Sequence, residues 1–289
     1  HRSQHPNMKA LSHLIFLTFF IDSIPSFIIN HSDHSTTRIR TNMSQEIDEY
    51  EKPIITLKMA FDANGAVDER SNESERFTSN ESLDKVHCIR RDNDAILVGI
   101  GTIVRDNPSL TVRRVPLAEG QSQPLRVILD RSLRIPDPDH CTALNDGNPT
   151  VVFFVDDPYK FTKAKAAEIM ISSLGMPVTV VDVESDGANV GCSIERVIDI
   201  LAKKGVRNLM IEGGPNVAKQ FLEKKLVDRA VIIKSAIAFK EPFMGDINHS
   251  TLEKADMNLI GGTKWGVDDV EFWSKSGFEF ANGEFDKWP

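Results

Sequence analysis

Cysteine is scarce in this 289-residue chain: Cys88, Cys141 and Cys192 are the whole supply, widely spaced and without a CxxC pair. That excludes a disulfide framework and a cysteine-based zinc site, so no metal is expected and the three thiols are predicted to be free. Positive charge is also short. With 34 Lys and Arg against 42 Asp and Glu the net charge is −8, so the chain lacks the general attraction to phosphate backbones that a nucleic-acid partner would require. A local basic pocket remains open. The apolar run "LIFLTFFI", Leu14 to Ile21, is too short to span a bilayer, and no stable membrane association is expected. No internal repeat, coiled coil or long low-complexity linker interrupts the main body.

The first fifty residues differ from the rest. The chain opens on His1, which leaves Met8 and Met43 as candidate starts. From Met8 the order is Lys9, the apolar run, then small residues at Ser23 to Ser26, the pattern of a signal-peptide core and cleavage zone. Phe27 to Ser44, "FIINHSDHSTTRIRTNMS", is rich in Ser, Thr and Arg with one acid, Asp33, as in transit peptides. Signal plus transit predicts import into a plastid. A start at Met43 would make the preceding residues functionless leader and the protein cytoplasmic. Residues 1–51 are read as this leader and 52–289 as one domain.

From Lys52 the texture is that of an α/β domain. "PIITLKMAF", "NDAILVGIG", "PLRVILD", "PTVVFFVD", "MPVTVVDV", "NLMIEGG" and "RAVIIKSAIAF" read as strands; "SNESLDKVHCIRR", "TKAKAAEIMISSLG", "SIERVIDILAKKG" and "NVAKQFLEKKLVD" read as helices. Strands so apolar need helices on both faces, which predicts a three-layer α/β fold with a central, mostly parallel sheet. The tail from Gly261 reads as a final strand and an ordered C-terminus.

Two glycine turns follow strands. Gly99-x-Gly101-Thr102 is no dinucleotide fingerprint, because Val104 stands at the third position and Asn107-Pro108 cuts any helix short; an isolated pair reads as readily as a tight strand-end turn. Gly213-Gly214 is stronger. There Pro215 begins an amphipathic helix with Val217, Phe221 and Leu222 inward, and a helix N-terminus behind a glycine turn offers N–H groups to a phosphate. Glu212, at the strand's carboxyl end, looks into the same crevice or caps the helix. Between Val86 and Pro116, five arginines (Arg90, Arg91, Arg105, Arg113, Arg114) face three aspartates (Asp92, Asp94, Asp106), a net of +2 in an acidic chain. The guanidinium fork suits phosphate oxygens, so an anionic ligand is expected, with Arg91 and Arg114 left as surface charges.

"TLKMAFDANGAV", "LVGIGTIVRDNPSLTVR", "PLRVILDRSLRIP" and "LMIEGGPNVAKQFLEKKLVD", in this order from about Pro53 to Phe239, resemble the reductase family of riboflavin biosynthesis. That domain is the C-terminal half of the bacterial bifunctional deaminase–reductase and stands alone in fungi and archaea. The resemblance implies a dihydrofolate-reductase-like fold, NADPH as cofactor, and reduction of the ribosyl group of a phosphorylated aminopyrimidine to ribityl, by a homodimer. It also implies cofactor contacts at Ala60, Thr102, Asp106 and Gly214 to Gln220, including Pro215, Asn216 and Val217. Gly99, Gly101 and Gly213 would let backbone approach the cofactor closely, with Ser132 a weaker candidate. Substrate contacts are implied at Ser74, Arg90, Leu110, Arg113 and Glu212.

The chain departs from the family where Ser/Thr-Leu-Asp-Gly is replaced by Asp62-Ala63-Asn64-Gly65, and Asp62 is the nearest stand-in for the family's aspartate. Arg76 replaces an aromatic residue, as a contact to the cofactor's 2′-phosphate or as a surface charge. Nothing resembles the H-x-E and P-C-x-x-C of zinc pyrimidine deaminases. The expected chemistry is direct hydride transfer to C1 of the opened ribosylamine, with Lys58, or water held by Asp106 or Glu212, supplying the proton. Two alternatives are a dihydrofolate-reductase-type enzyme on another substrate and a non-catalytic nucleotide-binding module. Whether reduction precedes or follows deamination is open at this level.

Overall fold

The computed structural model describes residues 51–70, 77–157, 159, 162–173, 175–187, 191–278, 280 and 288. The leader, Ser74 and Arg76 lie outside the described residues. Among the described residues no helix is long and apolar enough to cross a membrane.

The elements in chain order are β1 (Ile54–Phe61), β2 (Asp68–Glu69), α1 (Asn80–Arg91), β3 (Ala95–Gly99), α2 (Ile100–Asp106), β4 (Leu125–Leu129), α3 (Thr142–Asn145), β5 (Thr150–Phe154), α4 (Thr162–Ser172), β6 (Val178–Asp182), α5 (Ile194–Lys203), β7 (Asn208–Ile211), α6 (Pro215–Glu223), β8 (Arg229–Lys234), β9 (Pro242–Phe243), α7 (His249–Lys254), β10 (Asn258–Trp265) and β11 (Asp268–Ser274). The large sheet has the order β10-β11-β8-β1-β7-β3-β4-β5-β6. From β8 to β6 every pairing is parallel, and β11 and β10 continue antiparallel.

The strand residues alternate between two cores, as the period of two requires. Leu57, Leu97, Val127, Phe153, Leu209, Ile211 and Ile232 pack with Val197, Leu201, Phe221 and Leu252 of α5, α6 and α7. Ile96, Val98, Ile128, Val152, Met210 and Val231 pack with Val86, Ile89, Ile103 and Ile169 of α1, α2 and α4. Helices therefore cover both faces, and the three-layer α/β reading with a mostly parallel central sheet holds.

Three local readings change. The strand expected to run to Phe239 stops at Lys234, because the chain turns back to close the end of β1: the Ala63 N–H donates to Ile237 O at 2.8 Å and the Phe239 N–H to Asp62 Oδ2 at 2.9 Å. The tail is a hairpin of two strands, not one, with Trp265 paired to Asp268 at the turn. Gly101 lies within a seven-residue helix entered directly from β3, not in a turn.

The same closure settles Asp62. Its Oδ1 accepts the N–H groups of Asn64 and Ala66 at 2.8 and 2.7 Å, and it is buried. Burial works to raise its pKa, but the N–H groups of Phe239, Ala66, Asn64 and Gly65 outweigh it and the carboxyl titrates below its usual range. Asp62 is spent on the turn that sets the end of β1, with Gly65 at φ +87°.

Gly99 has a packing reason. A Cβ there would sit 2.7 Å from Val217 Cγ2 in the first turn of α6, so glycine lets α6 seat against the end of β3. Gly99→Ala should lose about 1–3 kcal/mol of stability to overpacking. The Gly99→Ala/Val217→Ala double variant should be more stable than the two separate losses sum to, measured by urea unfolding. Strict additivity would show that the two side chains do not compete for this space.

Candidate active site

A cleft of about 1040 Å³ opens at the carboxyl ends of β1, β7 and β3, where the chain leaves β1 for β3 and returns later to fill the β7 position between them, the place where open α/β sheets bind ligands. Leu57 of β1 is in register with Ile211 of β7. The next residues, Lys58 and Glu212, therefore emerge side by side on the opposite face, the one crossed by α1. The Glu212 N–H donates to Leu97 O at 3.0 Å, which anchors the residue to β3 as well.

From α1, Arg90 grips the Glu212 carboxylate with both arms of its fork: Nε donates to Oε2 and Nη2 to Oε1, each at 2.8 Å. Lys58 Nζ lies 3.5 Å from Oε1. The Lys58, Glu212 and Arg90 side chains are only 16, 12 and 10% exposed. Burial pushes the Glu212 pKa up, but Arg90 and Lys58 overcome it and hold the carboxyl at about 2. Glu212 is thus a permanent acceptor and no proton donor near neutral pH, nor does it cap α6, which starts at Gly214 without a side-chain cap. Arg90 also departs from the expectation of a phosphate ligand: its Nη1 donates to Thr111 O at 3.0 Å, so its fork is committed within the protein.

Leu83, Val86, His87 and Arg90 of α1 all line the cleft, spaced as one helical face. His87 escaped the sequence reading, although this spacing with Arg90 was the signal for it. Asn107 to Leu110, Arg113 and Arg114 continue the wall beside α1, where Leu110 is buried at φ +52°. Arg113 lines the cleft and its Nη1 donates to Ser109 Oγ. Arg91 and Arg114 make exposed pairs with Asp92 and Asp84, as surface charges do, although Arg114 also reaches the cleft's rim.

The other half of the cleft is lined by Ala60, Gly99, Gly101, Thr102, Asp106, Gly213, Gly214, Pro215, Asn216 and Val217. Here two helices begin at glycine N-caps, Gly99 and Gly214, with no side-chain cap. A Cβ at Gly101 would meet open space and one at Gly214 only Thr102 Oγ1 at 3.9 Å, whereas those at Gly99 and Gly213 would run into Val217. The first pair leaves room for a ligand and the second makes room for α6. Uncapped N–H groups beside open backbone fit an extended phosphorylated ligand. Asp106 is exposed at the last position of α2, about 10 Å along the helix from the strand end. Ser132 is not among the lining residues, because its turn is drawn inward to bury Leu133 and Ile135.

Asp68 of the small β2–β9 ribbon holds Arg105 of α2, at 2.6 Å between Nε and Oδ2, and Phe243 of the same ribbon faces the cleft. Among the described residues no three His, Cys, Asp or Glu side chains group as metal ligands.

The depressed Glu212 pKa sets a pH window. Its contribution to stability is complete above pH 4.5 and is lost as pH falls toward 2. Glu212→Gln should cost about 3–5 kcal/mol at pH 7 by leaving buried cations unpaired, and this deficit should shrink by about 3 kcal/mol between pH 5 and pH 2. Urea unfolding at stepped pH measures both. Parallel acid profiles in the two proteins would contradict the assignment.

Comparison with known proteins bears on this geometry. Residues 53–239 match the family model described as the RibD C-terminal domain. The chain is 31% identical over 207 residues to the riboflavin biosynthesis protein RibD of Aquifex aeolicus, covering 71% of this chain and 52% of that protein. It is 32% identical over 180 residues to the 2,5-diamino-6-ribosylamino-4(3H)-pyrimidinone 5′-phosphate reductase of Methanothermobacter thermautotrophicus, covering 61% and 74%. The chain thus spans about half the length of the Aquifex RibD relative and most of the archaeal reductase. Among solved structures, Acinetobacter baumannii RibD superposes with a TM-score of 0.60 at 20% identity over 77% of this chain and 58% of that one. The Saccharomyces cerevisiae riboflavin biosynthesis reductase Rib7 gives 0.55 at 20% over 77% and 90%; both show the shared fold. With the family model spanning more than half of its length, the chain belongs to the RibD C-terminal domain family.

Proposed function

We propose that this protein is the NADPH-dependent reductase of riboflavin biosynthesis, converting the ribosyl group of a 5′-phosphorylated ribosylaminopyrimidine to ribityl. The carrying observation is one cleft with two chemically distinct ends: the ionised Glu212 with Lys58 and nearby Arg113, and the uncapped helix starts at Gly99 and Gly214. Reduced NADPH supplies a hydride when bound. The starts of α2 and α6, at Gly101 and Thr102 and at Gly214 to Asn216, would hold it, their free backbone N–H groups being available to its phosphates.

At the other end, Glu212 accepts hydrogen bonds from the pyrimidine's N–H groups, and Arg113 takes the 5′-phosphate. Opening of the ribosylamine leaves an imine between the pyrimidine nitrogen and C1. Hydride arrives at C1 and a proton at that nitrogen, giving the ribitylamine. Lys58 is the donor this geometry favours, because Glu212 stays ionised and Asp106 stands at the far end of α2. Fixed approach of hydride and C1 within one cleft supplies most of the acceleration. The relatives named as pyrimidinone phosphate reductases and as RibD support the substrate class. The proposal extends to a homodimer, checked by sedimentation of the purified chain.

The test follows NADPH absorbance with the 2,5-diaminopyrimidinone and the aminouracil ribosyl phosphates, and with dihydrofolate as control. Oxidation with at least one ribosyl phosphate and none with dihydrofolate is expected; no oxidation with either ribosyl phosphate overturns the reading. Gly214→Val should fold normally and lose NADPH binding in a fluorescence titration, since its side chain enters open cleft. Arg113→Ala should weaken substrate binding by about 2–3 kcal/mol with NADPH affinity unchanged. Wild-type substrate affinity in that variant would remove Arg113 from the phosphate site.

A further inference from the structure

Residues 107–124 carry Leu110 and Arg113, yet none of this segment belongs to a strand. Side chains hold its backbone instead. Arg126 of β4 donates to Ser109 O at 3.1 Å, and Arg90 of α1 donates to Thr111 O at 3.0 Å. Gln123 accepts the Val112 N–H at 2.7 Å and donates to Val112 O at 2.9 Å. The Arg113 N–H donates to Nδ1 of His87 at 3.1 Å. Two arginines, one glutamine and one histidine make these tethers, and of these only the histidine changes charge on the acid side of neutrality.

His87 is 3% exposed and lines the cleft one turn before Arg90. An imidazole that accepts at Nδ1 is neutral and carries its proton on Nε2. The charged groups facing it are Arg90 of its own helix, Arg113 and Arg114 of the tethered segment, and Glu212 at the end of β7. Burial, then Arg90 and Arg113, push its pKa down to about 4, with Glu212 opposing. Protonation would set a second N–H against the Arg113 N–H, and a bond would become a repulsion.

We propose that His87 is a positioning residue for substrate binding: neutral Nδ1 fixes the backbone of Arg113, and protonation frees that segment and weakens the hold on the substrate's phosphate. The inference rests on the reading of Arg113 as the phosphate ligand. It adds to that reading a residue that touches no reacting atom and gives the site an acid-side sensitivity of its own.

Two variants separate positioning from mere packing. In His87→Asn, Oδ1 replaces Nδ1 as acceptor and does not titrate; His87→Leu removes the acceptor. Hydrogen exchange of the Arg113 amide should be protected in wild type and His87→Asn and at least tenfold faster in His87→Leu. Steady-state kinetics should show KM for the phosphorylated substrate raised about tenfold in His87→Leu, kcat within twofold, and KM restored in His87→Asn, as expected when one buried hydrogen bond is lost. From pH 7 down to 3.5, wild-type KM should climb below about pH 4.5 along an acid limb that His87→Asn lacks, while the limb from the substrate phosphate itself, near pH 6, is common to both.

Binding of ribose 5-phosphate to the same three proteins lets the two readings fail separately. A wild type without turnover whose ribose 5-phosphate affinity falls tenfold in His87→Leu overturns the reaction and keeps the positioning role. Equal Arg113 amide exchange, or a ribose 5-phosphate affinity indifferent to His87, overturns the positioning role whatever the turnover.

Discussion

The site turns on one carboxylate. Glu212 lies between Arg90 and Lys58 in a place where each side chain keeps less than a fifth of its surface in water. Charges so placed are costly unless they compensate one another. Their compensation joins three parts of the fold: Lys58 from β1, Glu212 from the end of β7, and Arg90 from the helix above. The same arginine reaches on to Thr111 O, which ties the segment carrying Leu110 and Arg113 to the ion cluster. The cluster also limits what Glu212 can do, since a carboxylate held ionised accepts hydrogen bonds and donates no proton.

The glycine-lined half of the cleft depends on a different constraint, how closely α6 approaches the strand ends. Gly99 and Gly213 carry no side chain because Val217 occupies that volume; Gly101 and Gly214 leave theirs open toward the cleft. Four glycines that look alike in sequence thus divide into two that build the wall and two that leave it bare. Val217 serves both ends of this arrangement, packing into the core while belonging to the helix whose first turn faces the cleft.

Much of this was legible from one dimension. Apolar strands alternating with amphipathic helices required two covered sheet faces, and the observed strands alternate residue by residue between two cores. The Gly213-Gly214-Pro215 step announced a helix start at a strand end, and the arginine-rich stretch announced a place for an anion. Commitments to partners far along the chain were not legible. Ser132 was drawn off by burial of Leu133 and Ile135, Asp62 by N–H groups including that of Phe239, 177 residues away, and Arg90 by Glu212, 122 residues away. His87 was overlooked because a buried histidine has meaning only through what its ring nitrogens meet.

Local periodicity, turn chemistry and charge composition are properties of neighbours in sequence, and these the amino-acid order determined: the layer architecture, the helix starts, and the presence of an electropositive segment. Which arginine is spent on the protein and which faces the cleft, which glycine is a spacer and which an opening, and which tautomer His87 adopts were decided by tertiary structure alone. The physical reason is that hydrogen-bond commitment and desolvation are set by the groups brought within a few ångströms. At this cleft those groups come from β1, β3 and β7, and β7 lies more than a hundred residues of chain from both of its neighbours.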